Sequence, residues 1–397
     1  MPTSPKKIRF AVAAPGISSF EAPFFRLCAQ VEEWEFKVFY CGPVENKPYS
    51  NEYQTNVSWG VDLLGDYSSL YVEERKKLCD ILQDWRPDVV LVYGYGWPGA
   101  LSLILRNRLR GLPQIHRGTL NYFLDPRRGW KGRLMRPLRD FLFRLFTAHH
   151  YGGDYSRKVL LDAGVKPESL FFMPYSVDSS YFAAQADGAT QREGATAMRR
   201  ALGWTDNDQV LLFIAHHTWV KGPDIMLDIF ERWGRENPQA RLLMAGSGPM
   251  TEDLKRLAAA RLAPKQYHFA GFVPSAETAP YYLAADLVVC ASRYETWARM
   301  INEAMLCRRP CLINSRVAAA GGLVEDDRNG YVVPSPDVEP DAAAYVAILR
   351  KHFAKTPDER QKMGEAARER AKYFSYEAHM DDAKAAARYA LARGKRR

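Results

Sequence analysis

The sequence predicts an α/β protein built from two doubly wound parallel sheets, one in each half of the chain. Short apolar runs alternate with helical patterns from Ile8 onwards, and a second series of the same kind begins at Val210. Strands that alternate with helices are typical of parallel sheets covered by helices on both faces. The two sheets are expected to face each other across a deep cleft at the carboxyl ends of their strands.

Changes of pattern along the chain predict the domain boundaries. Positions 181–204 show little hydrophobic periodicity, and the tail from Asp358 is rich in Ala, Arg, Lys and Glu, as in terminal helices. The predicted regions are a first domain over 1–180, a linker over 181–204, a second domain over 205–375, and a C-terminal helix over 376–397 that packs back towards the first domain.

The first domain begins with a buried strand. Lys6 and Lys7 precede an apolar run as in a signal peptide, but Arg9 interrupts that run and Pro15–Gly16 ends it, so we predict a strand over Ile8–Ala14. A helical pattern follows from Glu21. The further elements predicted for this half are a helix end at Val31–Trp34, strands at Val38–Cys41 and Val89–Tyr93, and a helix carrying Leu78, Ile81, Leu82 and Trp85.

The second domain shows the same alternation more clearly. Its predicted strands are Val210–Ala215, Arg241–Ala245, Tyr267–Ala270, Leu287–Ala291 and Cys311–Ile313. Its predicted helices are Asp224–Trp233, Thr251–Ala260 and Ile301–Leu306.

Composition limits the classes of function. Of the 397 residues 47% are apolar and 25% charged, which is ordinary for a globular protein, and the formal charge of +9 favours an anionic partner. Nucleic acid, an anionic membrane and a phosphate-bearing substrate all qualify, but no nucleic-acid module is present, so that partner ranks last. The six cysteines form no CxxC pair and no zinc spacing. We expect a reduced, cytoplasmic protein without a metal.

Two glutamates in the segment 292–305 are the strongest candidates for chemistry. Glu295 follows an apolar strand, and Glu303 lies about two helical turns further on. The backbone N–H groups of Thr296–Arg299 open that helix and are suited to a diphosphate. One carboxylate could accept hydrogen bonds from sugar hydroxyls and the other from ribose hydroxyls. By themselves the two residues could equally be a surface glutamate and a capping glutamate.

The surrounding motifs decide between these alternatives. Two motifs precede the glutamates: a basic loop, Phe213–Asp224, and a glycine-rich turn, Leu243–Pro249. The segment Phe269–Val273 lies between that turn and the glutamates. In order and spacing this series resembles the family-4 glycosyltransferases of the GT-B fold, which assemble bacterial polysaccharides and lipopolysaccharides. The resemblance covers about Val210–Pro334 closely and the first half weakly, including Trp59 to Tyr67 and Gln114–Leu120. It implies two Rossmann-like domains, a nucleotide-sugar donor, transfer with retention, and no metal or other cofactor.

The resemblance also implies roles for individual residues. Lys221 would bind the diphosphate, Glu295 the donor sugar and Glu303 the donor ribose. His216 stands where the family usually has an arginine that contacts the diphosphate. The implied donor-binding positions are Gly16, Gly246, Gly248, the backbone at Phe272 and Val273, and the segment of Thr296, Trp297, Ala298 and Arg299.

Several positions depart from the family pattern. Histidine at 216 offers fewer donors than arginine and is only partly charged near neutral pH. Thr296, Ala298 and Arg308 replace glycines, and Trp297 replaces a phenylalanine. A non-catalytic protein that binds sugar nucleotides is therefore an alternative, as is an enzyme that acts on a small soluble acceptor.

Candidates in the first half are less specific. His116 and Arg117 end an apparent strand, where the family places a His or Arg that contacts the transferring group; His116 could equally be a strand-end residue without such a role. Gly94–Gly99 matches a dinucleotide fingerprint, but no acidic residue follows at the required distance, so we assign this loop to the acceptor side. Asp206–Asp208 has a metal-binding form but is predicted to be a turn.

The segment Arg127–Phe146 is basic and amphipathic. Leucines and phenylalanines recur at helical spacing among seven cationic residues, with Asp140 as the one carboxylate. A helix lying on an anionic membrane fits this pattern, and a core helix with a solvated basic face is the alternative. Together with this pattern, the family resemblance implies a retaining hexosyltransferase that uses a UDP- or GDP-sugar and a glycan or lipid-linked acceptor, peripheral at the inner face of the membrane.

Overall fold

The computed structural model describes residues 6–17, 21–41, 49–50, 55–56, 64–73, 77–118, 120, 130–335 and 339–394, and the side chains of 49–50, 55–56 and 130–135 lie outside this description. The chain divides into two compact units. The first unit comprises Met1–Pro48, Val61–Tyr175 and Tyr376–Arg397, and the second comprises Tyr49–Gly60 and Ser176–Ser375.

The described strands and helices are numbered in chain order. The strands are β1 Ile8–Ala14, β2 Trp34–Tyr40, β3 Tyr49–Ser50, β4 Thr55–Asn56, β5 Ser69–Tyr71, β6 Val89–Tyr93, β7 Gln114–Arg117, β8 Ala148–Tyr151, β9 Leu170–Phe172, β10 Gln209–Ile214, β11 Ala240–Ala245, β12 Tyr267–Gly271, β13 Leu287–Val289, β14 Cys311–Asn314 and β15 Gly330–Val333. The helices are α1 Ala22–Ala29, α2 Leu78–Asp84, α3 Ala100–Leu109, α4 Trp130–Arg144, α5 Asp154–Asp162, α6 Ser179–Asp187, α7 Ala189–Ala201, α8 Pro223–Glu236, α9 Thr251–Arg261, α10 Ala279–Ala284, α11 Arg299–Leu306, α12 Ala342–Phe353, α13 Pro357–Tyr373 and α14 Met380–Gly394.

The sheet of the first unit has seven parallel strands in the order β5-β2-β1-β6-β7-β8-β9. Strands β1 and β6 are almost entirely buried, as continuous apolar runs in a sheet covered on both faces should be. Helices α1 and α14 contribute to the core on one face, and α2 and α3 to the core on the other. The predicted α/β class and strands β1 and β6 are therefore confirmed.

Trp34 was assigned wrongly by the sequence pattern. We expected Val31–Trp34 to close the first helix, but α1 ends at Ala29 and Trp34 is the first residue of β2. Its indole stacks on Phe10 of the neighbouring strand β1, with ring centroids 4.5 Å apart. A large aromatic residue is equally compatible with either element, and this tertiary contact decides between them.

The sheet of the second unit has six parallel strands in the order β12-β11-β10-β13-β14-β15. Each strand and helix predicted for this half is present, with bounds shifted by a few residues. Helix α8 covers β10 and β11 with a face that includes Ile225, Ile229 and Phe230. Because β11, β10 and β13 are neighbours, the loops after them emerge at one edge of the sheet.

Most of the segment 181–204, predicted as an aperiodic linker, is helical. Positions 181–187 lie in α6 and 189–201 in α7, and both helices belong to the second unit together with the strands that follow. The Asp178 carboxylate caps α6 by accepting a hydrogen bond from the Tyr181 N–H at 2.9 Å. The alanines of α6 favour the helix without producing an apolar period, so periodicity does not reveal it.

The terminal helix α14 belongs to the first unit, as the sequence predicts. Its residues Ala383, Ala386 and Ala390 are buried in the same core as β1. Asp208 lies in a turn, where it accepts from the Thr205 N–H and pairs with Arg241. None of the described helices combines the length and the apolar character that crossing a bilayer requires.

Candidate functional site

The loop after β10 presents a lysine beside the carboxylate of the loop after β13. Lys221 ends a short 3-10 helix, Trp219–Lys221, and its ammonium forms an ion pair with Glu295. Both side chains are partly accessible, Lys221 at 26% and Glu295 at 12%. The other carboxylate oxygen of Glu295 accepts from the Thr296 N–H at 3.1 Å. A cation that can donate to phosphate and a carboxylate that can accept from hydroxyls are therefore adjacent.

Arg293 holds the lysine loop in place, and the sequence analysis did not identify it. Its guanidinium donates to the Trp219 carbonyl at 2.6 Å and forms forked hydrogen bonds with Asp224 and Glu339. The Arg293 N–H also donates to the Val220 carbonyl at 2.9 Å. Burial alone would raise the pKa of Asp224, but the hydrogen bonds and charge of Arg293 outweigh burial and lower it. A planar fork of donors suits this bridging geometry better than an ammonium would.

Two glycines allow the loops after β10 and β11 to pack against each other. Gly246 has a φ of 130°, and a Cβ there would lie 1.9 Å from the Ala215 carbonyl oxygen. A Cβ on Gly248 would lie 2.7 Å from the His217 carbonyl oxygen and 2.8 Å from His216 Cε1. Contacts within the protein thus already require glycine at both positions, whatever the ligand.

His216 and His217 are both buried beneath this turn. His216 is 4% exposed, so its ring lies against the Gly246–Gly248 turn and not on the open surface. His217 shares a hydrogen bond of 2.9 Å with the Thr251 hydroxyl, which in turn accepts from the Gly248 N–H. Burial, aided by His216, lowers the pKa of His217 to about 4. The ring of His217 is therefore neutral near pH 7 and serves to fix the turn.

The amino end of α11 carries the segment that was expected to bind the donor. Ala298 precedes the helix with a φ of 71°, a left-handed conformation that favours glycine. Trp297 is 3% exposed; its Nε1 donates to Asn302 Oδ1 at 2.9 Å, and its ring stacks on Phe374. Only the backbone of Trp297 is therefore placed to meet a ligand, whereas the side chains of Thr296 and Arg299 are half-buried.

Glu303 is buried on α11 with a tyrosine partner. The Tyr282 hydroxyl of α10 donates to its carboxylate at 2.7 Å. Burial raises the pKa of Glu303, while the hydrogen bond from Tyr282 and the charge of Arg299 act in the opposite direction. Tyr282 is a candidate that the sequence analysis missed, because a buried tyrosine in a short helix has no recognisable pattern.

The segment assigned to the nucleobase follows β12. Phe272 and Val273 are half-buried and come directly after Gly271, whose φ is 73°. The Gly246 N–H donates to the Gly271 carbonyl at 2.7 Å, which ties this segment to the glycine turn after β11. The structure therefore places the predicted base, diphosphate and sugar contacts of the second unit along one edge of its sheet.

Arg117 is not placed as the sequence analysis expected. It is 1% exposed and forms an ion pair with the equally buried Glu21 at 3.4 Å. It also donates to the Met173 carbonyl at 3.0 Å, and four aromatic rings surround it within 6 Å. A side chain enclosed in this way organises the core of the first unit, and the expected contact with substrate is corrected accordingly.

His116 is likewise an interior residue. It is fully buried, and its ring lies 5.2 Å from that of Phe143 and 5.1 Å from that of Phe146. Burial and the neighbouring Arg117 lower the pKa of His116 to about 3, so it is neutral near pH 7. Of the alternatives left open, the residue without a substrate contact is the one the structure favours. Gly16, by contrast, follows β1 and has room around its Cα.

The remaining departures concern Arg308 and the basic helix. Arg308 has a φ of 58°, and its guanidinium pairs with Asp187 and Glu365 beyond the carboxyl end of α11, away from Glu295.

On α4, Leu138 and Phe141 are about half exposed, whereas Arg136 and Arg139 both pair with Asp140. Trp59, Thr119 and Arg127 lie outside the described residues.

Comparisons with known proteins identify the second unit. A family model for glycosyl transferases group 1 matches residues 195–370. The second unit is a group 1 glycosyltransferase domain. Its boundaries fall within Ser176–Ser375, so the domain carries every described site residue from His216 to Glu303. The motif-based resemblance to glycosyltransferases is thereby confirmed.

Individual relatives agree with this assignment of the second unit. The chain is 28% identical to a D-inositol 3-phosphate glycosyltransferase from Segniliparus rotundus over 78% of this chain and 68% of that one. It is 26% identical to the alpha-monoglucosyldiacylglycerol synthase of Streptococcus pneumoniae over 59% of this chain and 54% of that one.

A solved structure extends the likeness to both units. HepE from Anabaena in complex with UDP superposes with a TM-score of 0.70 at 16% identity, covering 95% of this chain and 98% of that one. At this identity the likeness shows the fold alone, and that fold is GT-B.

Proposed function

We propose that this protein is a retaining, metal-independent hexosyltransferase of glycosyltransferase family 4. The observation that supports this most directly is the Lys221–Glu295 pair beside the amino end of α11, in a group 1 glycosyltransferase domain. The donor is a nucleotide sugar, with UDP or GDP as the nucleotide; the complex of HepE with UDP favours UDP.

In this proposal Lys221 donates to the donor diphosphate, and the N–H groups of Thr296–Arg299 hold its other oxygens. Glu295 then exchanges its ion pair for hydrogen bonds from the sugar hydroxyls, and Glu303 accepts from the ribose. His216, buried beneath the glycine turn, donates one hydrogen bond at most while neutral. A fixed array of donors stabilises the negative charge that develops on the departing diphosphate.

Transfer with retention needs no nucleophile from the protein. The bond between the anomeric carbon and the diphosphate oxygen breaks, and the acceptor oxygen bonds to the same face of that carbon. The proton of the acceptor hydroxyl passes to the departing diphosphate. Lys221 and the helix dipole hold the diphosphate in position for this proton transfer.

The acceptor is proposed to bind the first unit and to be a glycan or a lipid-linked molecule. The relative named alpha-monoglucosyldiacylglycerol synthase supports a lipid acceptor. The exposed Leu138 and Phe141 beside the arginines of α4 suit contact with an anionic membrane, so we place the protein in the cytoplasm, at the inner face of the membrane. Flotation with anionic vesicles at low salt tests this contact, and a protein that stays at the bottom of the gradient refutes it.

Substitutions in the ion pair test the proposed site. Lys221→Gln and Glu295→Gln should each reduce kcat/KM about ten- to a hundredfold, since a hydrogen bond to a charged group is worth about 1.5–3 kcal/mol. The matched controls are Lys372→Gln and Glu369→Gln, which break an exposed ion pair on α13. If all four variants retain wild-type rates and donor affinity, the site assignment is wrong.

Two further measurements address the finer points. Activity that persists in excess chelator supports metal independence, and activity that returns only with added divalent cation refutes it. The anomeric configuration of the first product, followed by NMR, distinguishes retention from inversion. A non-catalytic role is the second candidate, because His216 replaces an arginine; donor binding without any turnover would support it.

A further inference from the structure

The first unit contains a cavity of about 310 Å³ far from its predicted acceptor side. Pro113, Thr147 and Ser169, which immediately precede β7, β8 and β9, contribute to its lining. The cavity therefore lies at the amino ends of these strands. The loops at Gly16, Gly94 and Gly118 follow the carboxyl ends of parallel strands in the same sheet, and so emerge at the opposite edge.

The lining is strongly cationic. Four basic residues contribute to it: Arg108, Arg144, Lys166 and Arg393. Among the described residues that line the cavity there is no carboxylate. Burial raises the pKa of Tyr389, Arg393 lowers it, and Glu168, which does not line the cavity, raises it. A basic cavity without internal counter-charges favours an anion.

One buried ring nitrogen in the lining has no hydrogen-bond partner among the described residues. His149 is 1% exposed, and its Nδ1 has no hydrogen-bond partner within the described part of the chain. Burial lowers the pKa of His149 well below its usual value despite a hydrogen bond from its ring to the Phe143 backbone, so the ring is neutral and its Nδ1 can accept from a hydroxyl of a ligand or from water. Buried polar atoms are rarely left without partners, which indicates that a ligand or water completes this one.

Apolar and aromatic residues complete the wall. Phe143 and Phe146 line the cavity together with Tyr389, over whose ring the Arg393 guanidinium lies 3.7 Å from the centroid. The stripe of Leu101, Leu105 and Leu109 on α3 is exposed, and Leu109, next to Arg108, is 85% exposed. A ligand that combines an anionic group with an apolar part would match both kinds of surface.

We propose that this cavity binds a phosphate ester, separately from the donor and acceptor. The ester is supplied either as the headgroup of an anionic lipid or as a soluble sugar or glycerol phosphate. The arginines provide charge-assisted hydrogen bonds to the phosphate oxygens, and the aromatic wall contacts the attached carbon skeleton. The inference does not depend on the proposed function, because its test measures binding and not transfer.

Two probes and two matched double variants test this site. The probes are glycerol 3-phosphate, followed by calorimetry, and phosphatidylcholine vesicles with and without phosphatidylglycerol, followed by sedimentation. Arg108→Gln with Arg393→Gln removes two cations of the lining, and neither of them lies on α4, which is proposed to contact the membrane. The control, Arg157→Gln with Arg388→Gln, removes two exposed cations of α5 and α14 that do not line the cavity.

The site is supported if at least one probe binds, the lining variant weakens that binding fivefold or more, and the control changes it less than twofold. Binding to vesicles alone identifies a lipid headgroup, and binding to glycerol 3-phosphate identifies a soluble ester. The proposal is overturned if neither probe binds, or if both double variants weaken binding equally. If the lining variant misfolds by circular dichroism, Lys166→Gln, at an exposed position, replaces it under the same criteria.

Discussion

Tyr282→Phe should raise the pKa of Glu303 without leaving a large cavity in the core. The substitution removes only the hydroxyl that donates to the Glu303 carboxylate at 2.7 Å. A hydrogen bond to a charged group contributes about 1.5–3 kcal/mol, which corresponds to about 1–2 pKa units. That hydrogen bond favours the carboxylate, so its loss raises the pKa of Glu303 further above its usual value.

The donor affinity should then become more sensitive to acid. If Glu303 accepts from the ribose as a carboxylate, affinity is lost as the pH falls through its pKa, and the midpoint should move up by about 1–2 pH units in Tyr282→Phe. Calorimetric titration of the donor at a series of pH values measures this midpoint. The free energy of unfolding should fall by a similar 1.5–3 kcal/mol above that pKa, and by less in acid, where Glu303 is protonated.

The adjacent Tyr281 supplies the control, because within the described part of the chain its hydroxyl makes no hydrogen bond to Glu303. Tyr281→Phe should leave the midpoint unchanged. Equal midpoints in wild type and Tyr282→Phe, with both proteins folded, would refute the assignment of Glu303 as a carboxylate that contacts the donor.

Three further predictions follow from the described contacts. Arg293→Lys should lower the free energy of unfolding by about 1–3 kcal/mol and weaken donor binding, since an ammonium cannot bridge Asp224, Glu339 and the Trp219 carbonyl; denaturant titration and calorimetry measure both effects. In urea unfolding, the free energy of unfolding of Ala298→Gly should stay within about 1 kcal/mol of the wild-type value. That of Ala298→Val should be lower by about 1–2 kcal/mol, because a β-branched residue is strained at the left-handed φ of this position. The pKa of His116 is lowered from 6.5 to about 3, so the stabilisation by the neutral ring is complete above pH 6.5 and is lost as the pH falls. Between pH 7 and about pH 4 the free energy of unfolding of the wild type should therefore fall by about 3 kcal/mol more than that of His116→Leu.

The strands were the most predictable part of the fold. Ile8–Ala14 and Val89–Tyr93 are continuous apolar runs bounded by turn residues, and the structure has strands with these bounds. Local sequence decides such elements because a run buried on both faces has no competing pattern. The helices α6 and α7 were missed, since alanine supplies helix propensity but α6 has no apolar period to reveal it.

The second unit's candidate site was also accessible from sequence, because its residues sit in short loops between recognisable strands. Lys221 and Glu295 are 74 positions apart in sequence, yet each lies in a loop that leaves the same edge of the sheet, after β10 and β13 respectively. Arg293 and Tyr282 were not accessible, since their importance depends on side-chain contacts that no spacing reveals.

Arg117 shows the opposite error, and His116 shows an alternative that the sequence left open. A charged residue at a strand end suggests an exposed function, but Glu21 and a set of aromatic rings bury Arg117, and Phe143 and Phe146 enclose His116. The partners lie far away in sequence, so only the tertiary structure distinguishes a structural charge from a catalytic one.

Thermal denaturation with UDP-, GDP-, ADP- and dTDP-sugars in the presence of chelator tests the central claim most directly. A ligand that binds only the folded state stabilises it by about 2.7 kcal/mol at a hundredfold excess over Kd. We predict that sugars of one nucleotide raise the Tm by several degrees and that Lys221→Gln and Glu295→Gln diminish this rise. No rise with any nucleotide sugar, in a protein that unfolds cooperatively, would contradict a donor site in the second unit.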